Sequence, residues 1–554
     1  MIKKLILTFV LLFSVTFRVS PQNTDSLYNK LLQLRNGNFS GSKLGTGQLA
    51  SEPVKCAFGL FASVKSNFDK FTKKQQNEIQ QILQRPLADT SIVSPSGLFR
   101  IHYFFDNTNK PGYDLNELAL ALDSSYNFEV NFLGYPPPPS DNNAGGDDKY
   151  DVYVLNLSGG LYGYTEPETQ VTNLTSTSFM VMDNDFSNYY TTGINAAKVT
   201  AAHEFHHAIQ LGNYIYRDED VWYYELTSTS MEEFVYDEIN DYYAYMKSYF
   251  NRPYNTISAH SGYDMAVWNI FLVERFANIN NMLGFDIIKR SWELMIDNRA
   301  VVSIAKAIQE KGYSFKQEFN TFGLWIFFTG YRTKAGQYFD EAANYPLVQP
   351  TTTIEFVPPK KEVMINSEPI SNNYIVFPDF SKGFNDTLVS IISNTDIEGA
   401  ADPQNNGLKF DYIISSENLE GGRKINAYYF SKIIADNAGK LIESNIFNNE
   451  PASGTFERNE IDYAYPQPFV YGTTGNYLYL PTSGNESGYA YFNIYSTSMD
   501  LVYSGREQIF SSDKITVRWN GKDFNGNRLP TGIYLYVTKS GDTIKKGKIL
   551  IQNK

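Results

Sequence analysis

The sequence predicts a multidomain chain: an α+β domain with a mixed sheet plus helices, followed by β-sandwich C-terminal modules. Three observations predict it. Strand-like stretches open the domain from Gly97 and long helical periodicities follow, a segregation that indicates α+β architecture. Beyond Pro350 the helical periodicity stops, and short alternating runs separated by Gly, Asn, Asp and Pro continue to the end. A length of 554 residues also exceeds what one hydrophobic core usually organises, so several folded units in series are expected.

In chain order, MIKK and the apolar run LILTFVLLFSVTF pair a basic start with an apolar segment of about a dozen residues. A membrane span needs about 20. Residues 1–20 are therefore expected to be a signal peptide, leaving an exported mature chain without a membrane span. Residues 21–96 read as a leader or propeptide-like segment, in which the polar linker NGNFSGSKLGTGQLASEP precedes a helical pattern, FDKFTKKQQNEIQQILQRP, stopped by Pro86. Cys56, the sole cysteine, can form no internal disulfide; in VKCAFGLF it reads as a small buried apolar residue rather than a reactive or inhibitory thiol.

Residues 97–348 form the expected α+β domain. LFRIHYFF, KYDVYVLNL and TSFMVMD read as strands, SFMVMD as an edge expected to align an extended peptide by backbone hydrogen bonds, and ELALALDSSYNFEVNF as a helix among them. INAAKVTAAHEFHHAIQLGNYIY reads as a helix with Gly212 at its C-cap, and YYELTSTSMEEFVYDEINDYYAYMKSYF, MAVWNIFLVERFA and GFDIIKRSWELMI as further helices. Two β-sandwich modules are expected at 349–460 and 461–554, and no repeat suggests a solenoid or propeller.

Lys plus Arg number 47 against 60 Asp plus Glu, a net charge of −13, which argues against nucleic-acid binding. The loop SDNNAGGDDKYD concentrates four Asp; it could bind calcium, although a solvated turn is the plainer reading.

The chemistry gathers in HEFHH. On a helix His203 and His207 lie about 40° apart around the axis and about 6 Å apart along it, so both imidazoles can reach one ion. Glu204 points to the neighbouring side, where it can accept a proton from water without being a ligand, the H-E-x-x-H arrangement. His206 could share a face with His203, but then Glu204 has no assigned role. Three of five histidines fall within these five positions. A catalytic zinc site takes three protein ligands, and Glu225, in VWYYELTSTSMEEF, is the candidate third, with Glu232 and Glu233 as competitors whose plainer roles are a solvated face or support for a histidine ring. His102, inside an apolar strand pattern, reads as a satisfied core histidine.

These residues resemble the gluzincins, metallopeptidases with H-E-x-x-H and a downstream glutamate ligand. WYYELTSTSMEE is similar to the W-x-N-E-G-x-A-x-x-x-E strip of M1-type aminopeptidases, with Tyr224 in place of Asn and Leu226 in place of Gly. The resemblance implies a zincin-like catalytic domain, zinc held by His203, His207 and Glu225, and Glu204 as general base. SAHSGYDMAVWNIFL is similar to the Y-x-x-G segment of that class, with Ala266 in place of Gly, and nominates Tyr263 for the oxyanion; His260 is the alternative. SPSGLFRIHYFF, the acidic loop, GLYGYTEPE, KVTAAHEFHHAIQ and the Glu225 segment occur in the order found in the MXAN_6640-type metalloproteases of exported bacterial proteins, over about residues 55–345.

AYPQPF, YAYFNIYS and VRWNGKDFNGNRLPTGIYLYVTKSGDTIKKGKILIQNK resemble the type A sorting domain of the type IX secretion system, an Ig-like module, with Gln467 in place of Asn. That implies secretion or display at the cell surface and the type IX machinery as a partner. Gly526 and Gly532 are expected at turn positions needing positive φ. The expected function is a secreted zinc-dependent peptidase acting on protein or peptide, endopeptidase favoured because no G-A-M-E-N-type exopeptidase strip precedes the helix. The alternatives are a catalytically inactive surface adhesin on the same scaffold and a metal-dependent hydrolase of other substrates.

Overall fold

The computed structural model describes residues 21–35 and 55–553, apart from breaks at 158–159, 173, 188, 335, 355–359, 378–387, 398–399, 401–407, 419–427, 437–441, 449–461, 472–476, 484–488, 512–514 and 542. The expected signal peptide and the whole polar linker lie outside the described residues. The chain divides into two compact units. One comprises Met1–Tyr249, Thr256–Phe315 and Ile397–Asn405, the other Phe250–Asn255, Lys316–Asp396 and Asn406–Lys554.

The first unit opens with α1 (Pro21–Arg35), α2 (Phe58–Ser66) and α3 (Lys73–Ile82). Thr72 and Gln75 cap α3 reciprocally. A five-stranded mixed sheet follows, built of β1 (Thr90–Val93), β2 (Phe99–Tyr103), β3 (Tyr150–Leu155), β4 (Gly163–Gln170) and β5 (Ser176–Asp183), in the order β1-β2-β3-β5-β4. Strands β2, β3 and β5 run parallel, while β1 and β4 are antiparallel edges. Helix α4 (Leu115–Tyr126) connects β2 to β3.

Strand alternation divides the buried side chains between two faces. Tyr153, Phe179 and Val181 share a core with Leu60, Phe61, Val64 and Ile79 of α2 and α3. On the opposite face Phe99 packs edge-on against Phe205, at 5.4 Å, in the long helix α5 (Gly193–Asn213). Helices α6 (Val221–Val235), α7 (Tyr243–Asn251), α8 (Ala266–Ala277), α9 (Leu283–Leu294) and α10 (Ala300–Glu310) follow.

Several expectations change. SFMVMD, expected to offer an edge strand to a peptide, is interior: β5 pairs with β3 on one side and β4 on the other. The edge belongs to β4, formed by GYTEPETQ where the chain doubles back. Gly212 is no C-cap, since α5 runs on to Asn213 and Tyr214 caps it. A Cβ at Gly212 would stand 2.4 Å from Pro139 Cδ, so close packing demands glycine there.

The acidic loop folds onto cations of the chain. Arg85 reaches Asp141 at 2.6 Å, Glu168 and Asp151, and Asp147 pairs with Arg100 and Lys149. The carboxylates that a calcium site would need are thus largely engaged. His102 Nε2 donates to Asp151 Oδ1 at 2.6 Å, and the ring stacks on Tyr153.

The second unit carries α11 (Phe315–Phe327) from its second residue onward, then two single 3-10 turns (Gly330–Arg332 and Ala342–Asn344) and a series of strands. The first seven are β6 (Thr352–Thr353), β7 (Lys360–Ser367), β8 (Ser371–Phe377), β9 (Leu388–Asn394), β10 (Leu408–Asn418), β11 (Tyr428–Asp436) and β12 (Ile442–Asn448), in sheets β11-β10-β7 and β12-β9-β8-β6. The last eight are β13 (Phe469–Val470), β14 (Leu478–Pro481), β15 (Tyr489–Tyr495), β16 (Leu501–Gln508), β17 (Phe510–Ser511), β18 (Ile515–Trp519), β19 (Gly532–Ser540) and β20 (Thr543–Gln552). They form sheets β13-β20-β19-β15-β16 and β14-β18-β17, which share one core containing Leu480, Phe492, Val517, Trp519 and Ile549. Gly526 has φ 79° in the turn after β18, whereas Gly532 simply opens β19 and is not among the residues with positive φ. Among the described residues no helix is long and apolar enough to cross a membrane.

Candidate metal centre

Helix α5 is buried along most of its length, and its alanines at 196, 197, 201, 202 and 208 are small enough to let it lie there. The i,i+4 spacing sets the His203 and His207 rings side by side, with centroids 4.7 Å apart. Helix α6 packs against α5 and brings Glu225 to the pair. His203 Nε2 lies 3.1 Å from His207 Nε2 and 3.2 Å from Glu225 Oε2, and His207 Nε2 lies 3.3 Å from that same oxygen.

The outer hydrogen bonds settle the tautomers. His203 Nδ1 faces Glu232 Oε1 at 2.7 Å, and a carboxylate only accepts, so Nδ1 carries the proton. His207 Nδ1 faces Gln210 Oε1 at 2.7 Å, while the Gln210 amide donates to Tyr224 O, so Nδ1 again carries the proton. With Nδ1 protonated, each ring in its neutral form presents an Nε2 lone pair to the other ring and to a carboxylate, in a place where all three residues are at most 3% exposed. Three acceptors that converge in a buried site call for a positive charge among them. The local field agrees. Burial opposes a charged His203, yet Glu225 and Glu232 outweigh it and lift its pKa to about 9. Burial likewise favours a neutral Glu225, but His207 and His203 hold it down to about 2.

Glu204 stands beside this group. Thr165 Oγ1 lies 2.8 Å from its Oε2, and the Cys56 thiol also hydrogen-bonds it. Burial pushes its carboxyl up, against the pull of His203 and His207.

The remaining sequence candidates separate. His206 points elsewhere, held by Glu129 at 2.7 Å. His260 pairs with Asp264 at 2.7 Å and packs edge-on against Tyr249. The Tyr263 ring lies 6.1 Å from that of His203, and its hydroxyl sits 3.2 Å from both the amide nitrogen and the carbonyl oxygen of Cys56. Glu232 supports the His203 ring rather than joining the ligand group.

The structure adds a neighbourhood to the reading of Cys56 as a small buried residue. It is 2% exposed, as expected for such a residue, but its sulfur belongs to a group with donor atoms of His203, His207 and Glu225, all within 4.8 Å of one another. Lys55, Asp241, Gln210, Thr165 and Phe58 were not legible from the sequence. Phe58 stacks on His207 with centroids 3.9 Å apart and planes 4° from parallel. One signal was available for Lys55: a lysine inside the apolar run VKCAFGLF must find buried carboxylates.

No protein-family model and no curated protein matches the chain. Among solved structures it is similar to PorZ, an essential bacterial surface component of the type-IX secretion system of Porphyromonas gingivalis, at 12% identity and a TM-score of 0.13. That match covers 34% of this chain and 38% of PorZ. A second, to dimeric latent PorU from the same organism, has 11% identity and a TM-score of 0.13, over 32% of this chain and 25% of PorU. The chain thus spans less than half the length of either.

Proposed function

We propose that the first unit is a zinc-dependent peptidase of zincin-like type, exported through a type IX route, with endopeptidase action favoured. The observation that carries this reading is the convergence of His203 Nε2, His207 Nε2 and Glu225 Oε2 at 3.1 to 3.3 Å, with the carboxylate of Glu204 beside them and outside the ligand group. Two imidazoles and one carboxylate suit zinc in chemistry and in number. When bound, zinc supplies Lewis acidity toward a peptide carbonyl and toward water.

The chain's own groups do the rest. Glu204 takes a proton from the attacking water at its carboxylate, then returns it to the leaving amine. Glu232 and Gln210 keep both rings in the tautomer that leaves Nε2 free. Tyr263, whose hydroxyl engages a main-chain amide and carbonyl at Cys56, is the candidate to hold the substrate carbonyl, with His260, whose Nδ1 engages Asp264, as the alternative. The outer edge of β4, along whose start residues 55–57 lie, offers backbone pairing to an extended peptide. The sorting-domain motifs and the Ig-like reading of the last module support export by the type IX machinery.

The test measures zinc content and casein hydrolysis, with and without chelator, for the chain as purified and for Cys56→Ala, since a thiol lies among the ligands. Hydrolysis should be chelator-sensitive, and Glu204→Gln should lower it by about 10²- to 10⁴-fold while zinc stays bound. Zinc-loaded protein that cleaves nothing in either form would remove the peptidase reading.

A further inference from the structure

The group that closes the metal centre comes from the leader rather than from the helices that build it. Besides the sulfur of Cys56, three contacts seat the same short segment. Its backbone extends the sheet: Cys56 bridges Gly163 in parallel, Ala57 N donates to Gly163 O, and Tyr162 N donates to Lys55 O at 2.8 Å, so residues 55–57 lie along the start of β4. Its peptide group is held by the Tyr263 hydroxyl. And Lys55, only 1% exposed, sets its Nζ 2.5 Å from Glu232 Oε2 and 2.5 Å from Asp241 Oδ2, with the Tyr162 and Tyr245 rings at 4.8 and 5.6 Å. A backbone on an edge strand, a ligand at the metal and a side chain enclosed in a pocket are the contacts an extended peptide substrate makes.

Resting on the metallopeptidase reading, we propose that Lys55–Cys56–Ala57 is an intrinsic pseudosubstrate: the Cys56 thiolate is the fourth metal ligand, and Lys55 fills an anionic pocket that, once vacated, takes a basic side chain of the peptide substrate. Cys, two His and Glu make a closed tetrahedral set, whereas a catalytic zinc needs one position open. Ligation releases the thiol proton, and displacing the sulfur frees the position for water. The pocket follows from the same displacement. Withdrawing the ammonium leaves Glu232 and Asp241 buried and facing each other without a cation, and a lysine or arginine side chain restores the balance. Glu232 also holds His203, so the pocket and the metal share a carboxylate.

The test uses the full chain loaded with cobalt(II) or with zinc. The cobalt form should show a near-ultraviolet sulfur-to-cobalt charge-transfer band that Cys56→Ser removes, and X-ray absorption should find a sulfur about 2.3 Å from zinc. Cys56→Ala should raise casein hydrolysis about tenfold or more, because the competent fraction rises. In that background lysine peptides should be cleaved about tenfold faster than norleucine peptides in kcat/KM, a preference that Asp241→Asn abolishes. Bound metal without a sulfur neighbour overturns the ligand assignment and leaves the peptidase reading standing. A sulfur neighbour with no hydrolysis from a folded Cys56→Ala makes the centre a closed structural site and overturns both. Equal rates on the two peptides overturn the pocket alone. The X-ray measurement needs no variant, so a chain destabilised by the substitution still decides the ligand.

Discussion

Glu166 and Glu225 are both buried in the first unit and titrate in opposite directions because of the company each keeps. Glu225 faces two imidazoles and is held down to about 2. Glu166, on β4, is raised to about 8 by burial, which the charge of Arg35 only partly offsets. Its ordinary value is 4.5, so between about pH 4.5 and 8 the folded chain holds a proton that the unfolded chain has lost. Stability should therefore fall as pH rises through that window, by up to about 1.4 kcal/mol per pH unit. Urea unfolding at pH 5.5 and pH 8 checks this: Glu166→Gln should lack the part of the loss that the parent chain shows. An unchanged pH dependence would mean that Glu166 is ionised in the fold.

At the scale of elements, the centre depends on how the loop before α8 meets α6. Gly262 sits at φ 99°, and a Cβ there would stand 2.3 Å from Trp222 O and 2.7 Å from Glu225 Cβ. Gly262→Ala therefore strains the backbone and presses on the turn that carries the third ligand. A loss of about 1–3 kcal/mol of stability is expected, together with weaker zinc binding in a competition titration against a chromophoric chelator. Wild-type affinity in a destabilised chain would show that α6 yields without moving Glu225. The same scale explains what was and was not legible. The helix carrying HEFHH announces itself by its spacing, and β5 by its apolar run. The edge strand β4 does not, because GYTEPETQ has a Pro and three polar residues in its second half, and its pairing comes from β5 across a reversal of the chain.

Across the whole molecule, the N-terminal helices and the mixed sheet share a core in the first unit, and the last eight strands share another in the second. Metal binding stabilises only the state that holds the ligands together, by about 2.7 kcal/mol at a hundredfold excess over Kd. Calorimetry of the full chain should thus show one transition that chelator moves down and zinc moves up, and another that neither moves. Two transitions shifting together would place the metal's stabilising effect on both units. The net charge of −13 is a property of this scale as well, giving solubility and disfavouring polyanions.

The sequence by itself determined what local spacing can determine: strands before helices, β modules beyond Pro350, and two histidines a helical turn apart with an acid between them. Those features repeat over a few residues, so the backbone period exposes them. Only the tertiary structure decided which carboxylate closes the histidine pair, which strand is the edge, and that a cysteine and a lysine of the N-terminal segment reach the site. Lys55 meets Glu232 across 177 positions and Cys56 meets Tyr263 across 207. Contacts of that span leave no periodic trace, because they depend on where separate elements pack and not on the order of residues within any one of them.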